Sequence, residues 1–131
     1  MKLKTHLNID TTLSGKVTKL EHDYAEVLLH TTQQMGADEQ GLVHGGFVFS
    51  AADYAAMCAV NDPYVVLGAA TTTFIAPVKV GDVVCCKAKV LTAKGKKKVI
   101  SVEAIVNETL VFKGSFTTFV LTQHVLKKNL G

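Results

Sequence analysis

Asp53 is the one carboxylate in residues 41–60, a stretch that otherwise carries no acid and no lysine. A helix that is apolar on every face must be buried. A carboxylate carried into it without a partner costs several kcal/mol or keeps its proton. The same stretch opens on His44-Gly45-Gly46, where two residues without a Cβ let another molecule approach backbone N–H groups that a helix start leaves unpaired. N–H donors at one end and a strained acid further in mark a site able to act on a carbonyl. Gly45 and Asp53 stand eight residues apart, about 12 Å at the helical rise. One chain therefore cannot bring both to one reacting carbonyl, and cooperation between them requires donors from one subunit and the acid from another.

The elements that must hold these groups follow from hydrophobic periodicity. Residues 15–20 alternate, 24–30 continue as a more buried strand, and the helix follows. Next come 64–78, 82–91, 98–106 and 110–121, rich in Val, Thr, Phe and Ile and punctuated by Asp62-Pro63, Pro77, Gly81, Gly95 and Asn107-Glu108. The pattern predicts an α+β chain with a broad antiparallel sheet against one long hydrophobic helix, and a single domain over residues 1–131. A helix with no polar face needs cover on the side away from its sheet, and a second copy of the chain is the simplest cover. A homodimer is expected, with a dimer of dimers as the larger alternative.

Composition narrows the function. The net charge of +3 rests on lysine alone, with no arginine among the 131 residues. Nucleic-acid readers lean on arginine for bidentate contacts, so no nucleic-acid partner is expected. The basic cluster Lys94, Lys96, Lys97, Lys98 with Gly95 reads either as a solvated hairpin tip or as a grip on a ligand phosphate. No apolar run reaches a membrane span and the first residues lack the apolar core of a signal peptide, so a cytoplasmic protein without a membrane partner is expected. Of three cysteines, adjacent Cys85 and Cys86 should place one side chain in the core and one outside, and Cys58 reads as a small buried hydrophobe. The His and acidic residues lack metal-ligand spacing, so no metal is expected.

The order strand, loop, His44-Gly45-Gly46 helix with Asp53 nine residues after the histidine, then Phe74-Ile75-Ala76-Pro77-Val78-Lys79-Val80-Gly81-Asp82, resembles the hotdog-fold acyl-CoA thioesterases of the phenylacetyl-CoA and 4-hydroxybenzoyl-CoA type over roughly residues 14–122. Residues 111–116 also resemble the acyl-CoA-sensing hotdog domain of a bacterial fatty-acid repressor, although no DNA-binding module is recognised here. The resemblance implies a long antiparallel sheet wrapped around one central helix, and an enzyme that hydrolyses an acyl-CoA thioester to free acid and coenzyme A. It implies Asp53 as nucleophile or as general base on water, the Gly45 N–H, with Gly46, as oxyanion donor, and His44 as an orienting group, a helix cap being the other reading. No cofactor is implied beyond coenzyme A as part of the substrate.

Two positions depart from that pattern. Asp38 stands where relatives often carry an amide, and a second acid near a thioester carbonyl would repel developing charge. Leu67 stands where some carry a hydroxyl, leaving Thr71 and Thr73 as substitutes or as plain strand surface. These departures keep a non-catalytic acyl-CoA binding or regulatory protein open as the alternative; a hotdog dehydratase fits less well, lacking the His and Glu arrangement on the helix. Phe47, Phe49, Tyr54 and Met57 read equally as acyl-pocket lining or as core. Lys96, Lys97 and Lys98 are the candidates for the coenzyme A phosphates.

Overall fold

The computed structural model describes residues 1–127; the last four residues of the expected domain lie outside the described residues. A short helix α1 (Thr11–Ser14) precedes strands β1 (Lys16–Glu21) and β2 (Tyr24–His30), the long helix α2 (Gly45–Val60), and strands β3 (Val65–Phe74), β4 (Val83–Lys94), β5 (Lys97–Val106) and β6 (Thr109–Val120). All pairings are antiparallel and form one six-stranded sheet in the order β1-β2-β4-β5-β6-β3. This is the hotdog architecture the sequence predicts.

Strand alternation builds the core. Ala25, Val27 and Leu29 of β2, Val84, Cys86 and Ala88 of β4, Ile100, Val102 and Ala104 of β5, and Phe112 and Phe116 of β6 turn inward and are fully buried. Cys85 turns outward and is half-buried, as its parity with Cys86 requires. Five alanines of α2, at 51, 52, 55, 56 and 59, present a thin face that lets the helix lie close over β2, β4 and β5. β3 lies at the far edge, with only Val65 buried.

The expectation that the far side of α2 waits for a second copy needs correction. Ten of its 16 residues are buried within one chain, because residues 1–14 run across it as a strap. Leu3, Ile9 and Leu13 pack on the core, Thr5 is buried, and Ser14 Oγ meets Ser50 Oγ at 3.0 Å. Asn61, the left-handed cap of α2 (φ 53°), fastens the strap at both ends of its amide. Its Oδ1 accepts from the Lys4 N–H at 2.7 Å, and its Nδ2 donates to the Lys2 carbonyl at 2.9 Å. The periodicity of α2 shows that cover is needed, but not which segment provides it.

Candidate active site at the helix start

His44 caps α2. Its Nδ1 accepts from the Gly46 N–H at 2.9 Å, so in the neutral ring the proton sits on Nε2, and the side chain is exposed. A Cβ on Gly46 would stand 2.8 Å from that Nδ1, and one on Gly45 would stand 3.0 Å from the Phe74 ring. The two glycines thus answer two different close approaches, one by the capping imidazole and one by an aromatic ring from the end of β3. Because the cap consumes the Gly46 N–H, this group is not the free donor the sequence suggested. The Gly45 N–H donates to no acceptor among the described residues.

The loop before the helix is clamped on both sides. The His44 N–H donates to the Met35 carbonyl and the Val43 N–H to the Val78 carbonyl, each at 2.8 Å, while the Val80 N–H reaches the Gly41 carbonyl at 2.8 Å. Buried Thr31 fixes the opposing turn: its hydroxyl donates to the Asp82 carbonyl at 2.6 Å and accepts from the Gly81 N–H at 2.9 Å, where Gly81 takes a φ of 99°. Sequence reasoning missed Thr31; its position, one residue past a strand, carries no motif. It did find the Pro77, Gly81, Asp82 turn that Thr31 holds.

Next to Gly45 a cavity of about 260 Å³ opens between the helix start and the chain leaving β3, lined by Val43, Val48, Phe74, Pro77, Val78 and Val111 among others. All its lining residues are uncharged. Asp53 stands two turns along α2, on the stripe with Gly46 and Phe49 that the strap leaves open. Its Oδ1 is buried and hydrogen-bonds to nothing among the described residues, and burial pushes its carboxyl from 3.8 up to about 6. The acid is strained as predicted, and its separation from Gly45 along one helix stands.

The remaining candidates scatter. Asp38 is exposed, and its Oδ1 accepts from the Gln40 and Leu42 N–H groups at 3.0 and 3.2 Å. That carboxylate braces the loop and does not line the cavity. Thr71 and Thr73 pair with Ser115 and Lys113 on the outer face of the sheet, away from α2. Thr72 between them pairs with Gly114, and Gly114 with Val102, on the inner face; an exact strand register, absent from sequence, decides that parity. Phe47 sits edge-on to His44 at 6.2 Å, outside the cavity. Tyr54 and Met57 are buried, Tyr54 under the strap with its ring 6.2 Å from His6, so neither reaches the cavity and both serve as core. Phe49 packs on Phe116 at 5.6 Å. Burial pushes the Cys58 thiol up to about 12, which leaves it inert. Lys96 and Lys97 are exposed at the end of the β4–β5 hairpin, while Lys98, opposite buried Thr118, is half-buried; Lys97 pairs with Phe119 and Phe119 with Val66, so the tip lies at the start of β3. The cavity lies at Phe74, about 26 Å further along the strand, so within one chain the lysines and the Gly45 N–H are at opposite ends.

Among the described residues no three His, Cys, Asp or Glu side chains group as a metal site, and no helix is long and apolar enough to cross a membrane.

Known proteins resemble this chain in sequence and fold. A protein of Aquifex aeolicus named methylthioribose-1-phosphate isomerase is 56% identical over 121 residues, 92% of this chain but 26% of that protein. Transcription factor FapR of Caldanaerobacter subterraneus is 30% identical over 128 residues, 97% of this chain and 63% of that protein. The chain therefore spans about a quarter and under two thirds of these two relatives. The crystal structure of uncharacterized protein PH1136 from Pyrococcus horikoshii is 48% identical with a TM-score of 0.96, covering 97% of this chain and 98% of that one. The model of the Thioesterase superfamily matches residues 40–113, the span that holds the capped helix, the free Gly45 N–H, Asp53 and the Thr31-braced turn. With more than half its length matched, this chain is a member of the Thioesterase superfamily.

Proposed function

We propose that this protein hydrolyses acyl-CoA thioesters in a site shared by two copies of the chain. The observation that carries the reading is the unpartnered, buried Oδ1 of Asp53, a costly acid in a helix whose first residue offers a free N–H beside an apolar cavity. In the reaction, the Asp53 carboxylate of one subunit takes a proton from water while the water oxygen bonds to the thioester carbonyl carbon. The carbonyl oxygen gains the negative charge and accepts from the Gly45 N–H of the other subunit, where the helix dipole favours it. Collapse breaks the C–S bond, and the coenzyme A thiolate takes the proton back from Asp53. His44 positions this donor by capping the helix.

In this reading the second copy sits against β3. Its ten residues carry no charge and form a free sheet edge, which invites pairing with another strand. Two-fold antiparallel pairing of β3 with its equivalent reverses the partner, so the partner's lysine tip comes toward this chain's Phe74 end. There Lys96, Lys97 and Lys98 can meet the phosphates of a bound coenzyme A in trans. Membership of the Thioesterase superfamily supports the chemistry, and the engaged Asp38 removes the second acid that would oppose it.

The test is thiol release across short, long and aromatic acyl-CoAs by the wild type and by Asp53→Asn. Release by the wild type that falls about a hundredfold or more in a folded Asp53→Asn protein is the expected result. Tight acyl-CoA binding with no release would instead identify a non-catalytic acyl-CoA binding protein.

A further inference from the structure

From the cavity beside Gly45 we infer that the site selects short, uncharged acyl groups and rejects acyl groups that end in a carboxylate. The inference rests on the thioesterase reading above and names its substrate class.

Three observations carry it. First, Gly45 is one of the residues lining the cavity, so a thioester carbonyl accepting from its N–H stands beside that cavity, close enough for one of its two substituents to enter. The lining is uncharged and mostly hydrocarbon, which suits the acyl group and not the polar pantetheine arm. Second, the space is small. About 260 Å³ lies below the roughly 300–1,000 Å³ usual for small-molecule pockets. The walls do not yield easily, because Val43, Val48, Val78 and Val111 are all buried and the Val43 and Val78 backbones are hydrogen-bonded to each other. Third, no cation of this chain lines the interior, and the partner's lysine tip proposed above meets the coenzyme A phosphates outside it. The chain has no arginine, the nearest lysines in sequence, Lys79 and Lys113, are exposed, and Lys113 pairs with Glu103 and Thr73 on the outer face of the sheet. A terminal carboxylate pushed between valines and a phenylalanine would lose its hydration with nothing to replace it. Ala76 and Ile75 set the limits of the space: Ala76 lines it from a loop, and Ile75, 45% exposed, stands at its mouth.

The experiment measures kcat/KM for acetyl-, butyryl-, hexanoyl-, decanoyl- and succinyl-CoA, with calorimetric binding of each to the Asp53→Asn protein. Butyryl or hexanoyl should exceed both decanoyl and succinyl by at least tenfold. Ala76→Leu, a loop change that fills the cavity, should lower the hexanoyl-to-acetyl ratio at least tenfold. Ile75→Lys, which sets an ammonium at the mouth, should raise the succinyl-to-butyryl ratio at least tenfold. Should Ala76→Leu fail to fold, the wild-type ranking and Ile75→Lys decide alone. Thiol release with decanoyl or succinyl preferred, or ratios that neither variant moves, would overturn the inference while leaving the thioesterase reading intact. Neither release nor binding of any acyl-CoA would overturn both.

Discussion

The sheet has two free edges built in opposite ways. β1 is six residues long, three of them charged, with Lys19 Nζ 3.2 Å from Glu21 Oε1. β3 is ten residues long and has no charge, and residues 68–71 are exposed on both faces. Shortness and charge are the devices by which sheet edges are kept from pairing with other chains. β1 has both and β3 has neither, and only Val65 of β3 is buried. The contrast separates an edge finished for water from one open to pairing, and the proposed shared site stands beside the second.

The largest effect should come from giving β3 the character of β1. Ala69→Lys sets like charges near the proposed two-fold axis and is expected to yield monomers by sedimentation and to bring thiol release to background. Thr18→Lys on β1 should change neither mass nor rate. A dimer that survives Ala69→Lys with full activity would remove β3 as the assembly edge. Next in size, Asp53→Asn should cost about two orders of magnitude, and so should Gly45→Pro, which deletes the donor at the first helical position with the Phe74 ring shifting to admit the new Cβ. Co-expressed, the two should form heterodimers with one working site each. Heterodimers as inactive as either parent would place both groups in one chain.

A smaller change is expected at the hairpin. Replacing Lys96, Lys97 and Lys98 by Ala should raise KM for acyl-CoA about tenfold to a hundredfold at low ionic strength, through lost and salt-screened ion pairs, while kcat holds. A truncated thioester without the nucleotide should be indifferent to the change. Smallest is the effect of Asp53 on folding. A carboxyl held near 6 instead of 3.8 binds its proton more tightly when folded, so this group makes the fold weaker as pH rises from about 4 through 6. The wild type should be more stable at pH 5 than at pH 7 by about 1 kcal/mol, read as a higher Tm at pH 5, and Asp53→Asn should flatten that slope. The same carboxyl must be ionised to act as a base, so kcat/KM should rise through about pH 6. An activity limb there without the matching stability slope would assign the limb to another group.

Much of this was legible from local pattern. Alternation located β1, β-rich runs between turn residues located the later strands, and the apolar run located α2, because all are properties of neighbouring residues. The expected strand over 64–78 ends at Phe74 instead, where Ile75 and Ala76 turn their N–H groups to the Val111 carbonyl and Pro77 has none to offer. What sequence concealed depends on residues far apart. The crossover that sets β3 beside β6 puts the lysine tip and the cavity at opposite ends, and one residue of register turns Thr71 and Thr73 outward and Thr72 inward. Asp53 and Gly45 stood out because each breaks a local rule. Phe74, Thr31 and the strap break none, and they act through contacts that no spacing announces.

The strap across α2 has a consequence for control. A helix so apolar would ordinarily tie folding to assembly, as in obligate dimers that have no stable single chain. Here Asn61, Ser50 and Tyr54 are already engaged by residues 1–14, so the hydrophobic helix is sheltered before any encounter with a second copy. Folding and pairing become two separate equilibria. With each site shared between chains, output per molecule would then depend on concentration: dilute protein would be intact and idle, and crowding it together would switch it on without any effector.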